Sequence, residues 1–202
     1  HGCDVDPTGE YIVGSGKLAA LIPVFSFDKL QKAIADKAFD GEFEGIPIIK
    51  YEAALHGEVK KPGLGPLHTE FDGKGNAYTS MYVESAVAKW SLPPWNDAQK
   101  KDLNTVILDK IPVHFNIGHL VIGGSDTKAP YGQYLVAMNK LSKGRHLGVG
   151  PSQPESSQLV DITEEKMKLV YDAFTEPEPH YAQIIKADKI KAIEVYPKEE
   201  NK

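Results

Sequence analysis

The sequence predicts an all-β protein with the architecture of a β-propeller, and three observations lead to that prediction. Apolar runs of strand length alternate with clusters of Gly, Pro and Asp along the chain. One phrase, a polar turn with a glycine followed by an aromatic residue and a strand, occurs three times. Its aromatic residues, Tyr11, Tyr78 and Tyr134, are 67 and 56 residues apart, which suits four-stranded blades carrying insertions. Ordinary turns in a β-sandwich are the alternative interpretation.

The apolar runs predict the strands in chain order. They cover residues 11–13, 21–27, 46–49, 77–83, 86–90, 134–136, 159–162, 167–171 and 190–196. Residues 28–39 place Leu30, Ile34 and Ala38 at helical spacing and predict a helix, and residues 96–108 are compatible with a short helix or a loop excursion.

The three copies of the turn phrase occupy residues 6–13, 72–79 and 129–136. A glycine in each copy can adopt the positive φ that such a turn requires, and the aromatic residue then begins the next strand.

Composition limits the classes of protein that the chain can represent. Its 202 residues are 41% hydrophobic and 25% charged, which excludes a disordered or collagen-like chain and a membrane span. A net charge of −5 argues against a nucleic-acid partner. The single cysteine, Cys3, excludes an internal disulfide. The chain opens on His1 with neither Met nor a signal-type segment, so we expect a processed chain or a fragment.

Histidines recur just before the turn phrase. His1 stands eight residues before Gly9, His68 seven before Gly75, and His119 thirteen before Gly132. Equivalent positions in successive blades face the central channel, so these imidazoles are expected to converge there. Converging imidazoles suit copper or zinc, and a shell made only of nitrogen favours copper. A structural role for each histidine is the alternative, because no pair has the spacing of a local metal motif.

Longer motifs resemble the nitrous-oxide reductase family. They are HGCDVDPTG at 1–9, PLHTEFDGKGNAYT at 66–79, KIPVHFNIGHL at 110–120, NKLSK at 139–143, VGPSQPE at 149–155 and EPEPH at 176–180. The similarity extends over essentially the whole chain in the same order. Residues 28–61 are longer than in the best-known members, a trait of the divergent branch of the family.

This resemblance implies a copper enzyme of denitrification that reduces nitrous oxide to dinitrogen and water. The family is a periplasmic homodimer with a seven-bladed propeller and a cupredoxin domain holding a dinuclear copper centre. Residues 1–202 then form a partial propeller domain of roughly four blades, without the C-terminal cupredoxin domain, and alone are expected to be inactive. The implied partners are nitrous oxide and an electron donor such as a cytochrome c or a cupredoxin.

The resemblance also implies the site residues. It makes His1, His68, His119 and His180 four of the seven histidine ligands of a four-copper sulfide cluster. His119 is preferred to His114, which is assigned a structural or supporting role. Lys140 and Glu155 match a calcium site, to which a lysine contributes only its backbone carbonyl. Lys140 near the cluster, polarising substrate, is a second possibility.

Several other residues carry individual expectations. Asp4 and Glu70 are expected either to orient the rings of nearby histidines or to be solvated turn carboxylates. Cys3 is expected to be a small buried hydrophobe. His56 and His146 are expected to be exposed in loops, and Trp90 and Trp95 to be packing aromatics.

Two other functions remain open from the sequence. One is a non-catalytic propeller that serves as a binding module. The other is a copper monooxygenase that holds its metal through the amino group and imidazole of His1, although such folds typically contain disulfides.

Overall fold

The computed structural model describes residues 2–140, 156–175 and 178–191. Helix α1 spans Phe27–Ala35, α2 Tyr51–Ala54 and α3 Asp97–Lys101, and two 3-10 helices span Leu103–Val106 and Ala187–Lys189. The strands of the described residues are β1 (Gly2–Val5), β2 (Tyr11–Ser15), β3 (Leu21–Ser26), β4 (Phe39–Phe43), β5 (Ile46–Ile49), β6 (Leu55–Lys60), β7 (Pro66–Phe71), β8 (Asn76–Met81), β9 (Ala86–Ser91), β10 (Ile107–Pro112), β11 (Ile117–Ile122), β12 (Tyr134–Asn139), β13 (Ser156–Asp161) and β14 (Lys168–Phe174).

These strands form blades, and the predicted propeller architecture is confirmed. Three four-stranded antiparallel sheets occur in the described ranges, with strand orders β1-β2-β3-β6, β7-β8-β9-β10 and β11-β12-β13-β14. We call them the first, second and third blades. The first strands are neighbours, since β7 contacts both β1 and β11. Roughly four blades were expected, and three have four described strands each. Residues 178–191 follow the third blade and contain no strand.

The hydrophobic core lies between the blades. One cluster joins Val13, Ile22 and Val24 of the first blade to Phe71 and Trp90 of the second. A separate cluster joins the second blade to the third. Side chains of β9 alternate between the two clusters, because successive residues of a strand point to opposite faces. The second blade is therefore buried on both faces, which explains why β9 is an almost unbroken buried run.

The turn phrase occupies the same place in each blade, between the first and second strands. In the first copy the Asp6 carboxylate accepts hydrogen bonds from the backbone N–H of Thr8 (3.2 Å) and Tyr11 (2.8 Å). In the second, Asp72 accepts from the N–H of Lys74 (2.7 Å) and the hydroxyl of Tyr78 (3.1 Å). In these two copies the aspartate closes the turn and ties it to the strand that follows. The third copy begins with Ala129 instead, and its Gly132 does not adopt the positive φ that was expected.

An excursion separates β3 from β6 and contains α1, the β4–β5 hairpin and α2. The helix predicted over 28–39 is present and ends at Ala35, and the side chain of Ser26 caps it by accepting from the N–H of Lys29. The second excursion contains α3, which begins with a capping box formed by Asn96 and Gln99.

Other expectations about the elements have mixed outcomes. Trp90 and Trp95 are buried in the core between the first two blades, as expected. The strand predicted over 190–196 lies almost wholly outside the described residues, and Ile190 and Lys191 are not in a strand. Within the described parts of the chain, no helix has the length and apolar character needed to cross a membrane.

Candidate metal centre

His68 and His119 occupy the same structural position in neighbouring blades. Each lies in a β-bulge of the first strand of its blade. Pro66 and Thr69 pair with Met81 and Thr79, so one extra residue is inserted in β7, and Ile117 and Leu120 pair with Asn139 and Ala137 in the same way. Bulges redirect side chains and recur next to functional sites. The local irregularity therefore turns both imidazoles out of the regular alternation of the strand.

Three of the four predicted histidines lie together. The ring centroids of His68 and His119 are 4.1 Å apart with an interplanar angle of 23°, and those of His119 and His180 are 4.4 Å apart at 43°. His1 lies outside the described residues. The adjacent Gly2 packs directly on β7, where an added Cβ would lie 1.8 Å from the carbonyl oxygen of Leu67.

Burial favours the neutral form of the His68 and His119 imidazoles. Desolvation, followed by the neighbouring His68, His180 and Lys140, lowers the pKa of His119 to about 4. Desolvation also lowers the pKa of His68. Neutral imidazole is the form that ligates copper or zinc.

The donor set suits copper, although the rings are stacked rather than aimed at one point. The Nδ1 atom of His119 is buried and accepts no hydrogen bond from any described residue. Such an atom is costly to bury unless something occupies its lone pair, and a metal ion would do so. Among the described residues, no three or more His, Cys, Asp or Glu side chains already surround one common point.

Lys140 joins the histidine group from the third blade. Its ammonium donates a hydrogen bond to the carbonyl oxygen of Pro179 (2.6 Å) and lies 3.1 Å from Nδ1 of His180. The side chain reaches this position across Gly118, where an added Cβ would lie 2.8 Å from Lys140 Cε. Sequence reasoning missed this role of Gly118, and its place directly before His119 was the available clue.

The calcium prediction involves a residue that is not described. Glu155 lies outside the described residues, so the structure gives no Lys140–Glu155 geometry. The side chain of Lys140 lies beside His180, and a role of Lys140 toward substrate stays a prediction.

His114 has a structural role. Its Nδ1 lies 2.8 Å from Ser156 Oγ, its Nε2 lies 3.6 Å from Asp172 Oδ2, and its backbone N–H donates to Gln158. The residue types match a Ser-His-Asp triad, but Ser156 is completely buried and no substrate can reach its hydroxyl. The network instead ties the start of β11 to β13, and the preference for His119 over His114 agrees with it.

Three expectations about individual residues were wrong. Cys3 is exposed rather than buried, because its side chain lies on the open face of β1. His56 is not exposed in a loop, since it lies on β6 between the rings of Tyr11 (4.9 Å) and Trp95 (5.3 Å). His146 lies outside the described residues.

The third wrong expectation concerns Glu70, whose carboxylate neither orients the ring of His68 nor lies in a solvated turn. Asp4 also lies on a strand rather than in a turn, and its relation to the ring of His1 falls outside the described residues. Asp4 Oδ2 accepts from the N–H of Thr69 (2.8 Å), and Glu70 Oε2 accepts from the N–H of Ile122 (3.2 Å). Burial raises the pKa of Asp4 to about 6 and that of Glu70 to about 7. Together with Cys3, Ser125 and Asp126 they line a cavity of about 220 Å³.

The sequence is similar to curated nitrous-oxide reductases. The one from Stutzerimonas stutzeri is 39% identical over 196 residues, and the one from Cupriavidus necator is 37% identical over 197. Each alignment covers 97% of this chain and 29% of the relative, so the chain spans less than a third of their length. The sequence model of the nitrous oxide reductase propeller repeat matches residues 110–180.

Solved structures with low sequence identity share the fold. Kuenenia stuttgartiensis hydrazine synthase superposes with a TM-score of 0.54 at 13% identity, covering 86% of this chain and 36% of that one. A putative 6-phosphogluconolactonase from Bacteroides fragilis superposes with a TM-score of 0.53 at 17% identity, covering 89% and 42%. These likenesses concern the fold alone.

Proposed function

Because this chain belongs to the nitrous-oxide reductase family, we propose that its channel histidines hold copper in an enzyme that reduces nitrous oxide to dinitrogen and water. The proposed ligands are His1, His68, His119 and His180. They would form part of a four-copper sulfide cluster, with further ligands supplied by the remainder of a seven-bladed propeller.

One observation carries the proposal most directly. Two histidines from neighbouring blades sit in matching bulges, with their rings 4.1 Å apart and their pKa values lowered. A histidine with only a structural role needs no second histidine at the same position of the next blade. The ligands of a metal centre shared between blades must, by contrast, come from both blades.

The reduction consumes two protons and two electrons for each nitrous oxide, releasing dinitrogen and one water. Copper, when bound, would supply the electrons to the substrate. The residues of this chain have simpler tasks. His68 and His119 present neutral nitrogen donors and, being partly buried, limit the access of bulk water. Lys140 holds protons on Nζ beside His180 and can donate a hydrogen bond to an oxygen atom at the site.

The remaining parts of the proposal follow from family membership. The chain forms a partial propeller domain, and a cupredoxin domain elsewhere in the enzyme would hold the dinuclear copper centre. The enzyme would be a periplasmic homodimer of denitrification that receives electrons from a cytochrome c or a cupredoxin. Calcium at Lys140 and Glu155 stays a prediction.

The test is metal analysis of the full-length enzyme produced with its copper-loading machinery. We expect His119→Ala to lower the copper content per protein and to change the visible absorption of the bound copper. The matched control is His114→Ala, which removes a histidine from the same strand region without touching the stacked rings. Equal copper content in wild type and H119A, or equal loss in both variants, would contradict the assignment.

A second candidate function is a propeller that binds a partner without catalysis. It is favoured by the stacked arrangement of the rings, since the described residues contain no ready-made site of three or more ligands. Folded wild-type protein that takes up no copper under loading conditions would support this alternative.

A further inference from the structure

The first strand of each blade has a free edge at the channel, and its outward backbone N–H groups need partners. A buried N–H without an acceptor is energetically costly, so such groups are nearly always paired. On β7 the N–H of Thr69 and that of Phe71 are both satisfied from outside the blade. Asp4 accepts the first at 2.8 Å, and the hydroxyl of Ser125 accepts the second at 2.7 Å.

The same arrangement continues to the next blade. Glu70 on β7 accepts the N–H of Ile122 on β11 at 3.2 Å. Asp4 and Glu70 are thus successive links, each a carboxylate on one first strand that binds the edge of the following one. Together they join β1 to β7 and β7 to β11.

These links lie immediately beside the histidine bulges. Glu70 follows His68 by two residues, and both side chains reach the third blade: the ring of His68 stacks on His119, and Glu70 accepts from Ile122. The amides that are bound, those of Thr69 and Ile122, follow His68 and His119 by one and three residues. The link between β7 and β11 therefore lies two residues from His68 and three residues from His119.

We propose that Asp4 and Glu70 are positioning residues, whose carboxylates fix the spacing of the first strands and thereby the mutual placement of the channel histidines. They act through the backbone, and neither has a hydrogen bond to the described rings of His68, His119 and His180. That these histidines bind copper is part of the proposed function, and the expected effect on copper binding rests on it. The effect on the placement of the rings can be measured without metal.

The experiment compares Glu70→Ala with Asp109→Ala in the full-length protein. Asp109 is a matched control, because its carboxylate also accepts a backbone N–H of another blade, that of Met167 at 2.7 Å. It lies on β10, at the opposite edge of the second blade from β7. Both variants lose a link between the second and third blades, but only E70A loses one beside the histidines.

The first measurement uses copper-free protein. Carbethoxylation rates of His68 and His119 are followed by peptide mass spectrometry, at a temperature well below the unfolding midpoint of either variant. We expect both rates to rise severalfold in E70A and to stay at the wild-type level in D109A. Glu70→Gln, which keeps an acceptor oxygen, should restore rates near wild type. Equal rates in E70A and wild type, or equal increases in E70A and D109A, would overturn the proposal.

Copper content, measured on loaded samples of the same proteins, tests the functional consequence separately. We expect E70A to bind less copper than D109A at equal folded fraction. A wild-type protein that binds no copper would overturn the proposed function, and the labelling rates would still decide whether Glu70 positions the rings.

Discussion

At the scale of single residues, Gly118 controls where the Lys140 ammonium lies. The absence of a side chain at this position lets the lysine cross β11 and reach Pro179 and His180. A methyl group there would lie 2.8 Å from Lys140 Cε, a contact that real structures relieve by moving the flexible lysine.

We therefore predict that Gly118→Ala releases Lys140 while leaving the fold intact. Amine labelling at Lys140, followed by mass spectrometry, should become severalfold faster. The free energy of unfolding should change by about 1 kcal/mol or less, because alanine also restricts the unfolded chain. Gly16→Ala is the control, since its added Cβ meets only Ala19 at 3.5 Å. Unchanged labelling of Lys140 in G118A would contradict the assigned packing.

The residue scale also shows where sequence reasoning reached its limit at the site. The position of His68 and His119 before the repeated turn predicted that they converge, and His180 was implied only by the family resemblance. The partners of Asp4 and Glu70 were not predictable. They accept hydrogen bonds from amides 65 and 52 residues away, and no local sequence pattern predicts which strand a carboxylate will contact.

At the scale of elements, the turn between β13 and β14 anchors the third blade to the second. The ammonium of the buried Lys89 donates to the carbonyl oxygens of Glu164 (3.0 Å) and Glu165 (3.1 Å). Asp109 accepts from the N–H of Met167 and pairs with Lys166. One cation and one carboxylate of the second blade thus hold four consecutive residues of the same turn.

This anchor predicts a pH dependence of stability. Burial alone would raise the pKa of Asp109, but the hydrogen bonds from Met167 and Lys166 outweigh it and hold the pKa below its usual range. A carboxyl with a lowered pKa in the folded state adds stability above its unfolded pKa, about 4, and loses it as the pH falls through the folded value.

Urea unfolding of wild type and Asp109→Asn between pH 7 and pH 3 measures this contribution. The wild type should be more stable by about 1 kcal/mol at pH 7, and the difference should shrink below about pH 4. A difference that stays constant or grows on acidification would show that the Asp109 carboxylate does not supply it.

Elements were predicted from the sequence where their periodicity was strong. The helix in the first excursion followed from its apolar spacing, and the repeated turns marked the same connection in each blade. His56 was misjudged because its neighbours in sequence, Leu55 and Gly57, resemble a loop. The His56 ring is covered only because Tyr11 and Trp95, which belong to other parts of the chain, pack against it.

At the scale of the molecule, β14 is the edge strand of the third blade among the described residues, and it exposes apolar side chains. On β14 the exposed fractions are 43% for Val170, 65% for Tyr171 and 52% for Phe174. Edge strands with exposed apolar side chains are prone to associate with other strands.

We predict that the 202-residue chain, produced alone, associates with itself as its concentration rises. Sedimentation velocity over a concentration series should show this, and Tyr171→Lys should reduce it by placing a charge on the edge. Leu18→Lys is the control, because Leu18 is 97% exposed in a turn away from β14. A monomer at every concentration, or equal effects of both substitutions, would contradict the prediction.

The repeat architecture was the most predictable property of the whole molecule, and the arrangement within it was less so. The recurring phrase marked the order of the blades, because each copy connects the first strand of a blade to its second, although only the first two copies use an aspartate to close the turn. The bulges were not visible in the sequence, since an extra residue is defined only against the strand that pairs with it.

Those bulges also bear on how such a site can be inherited. Pairing between β7 and β8 continues on both sides of residues 66–69, where β7 has one extra residue. Pairing between β11 and β12 continues in the same way on both sides of residues 117–120. The residues on either side keep their faces whether or not the extra residue is present. A blade of this kind can therefore acquire or lose a ligand through the insertion or deletion of a single codon, without any change in the pattern that makes it fold.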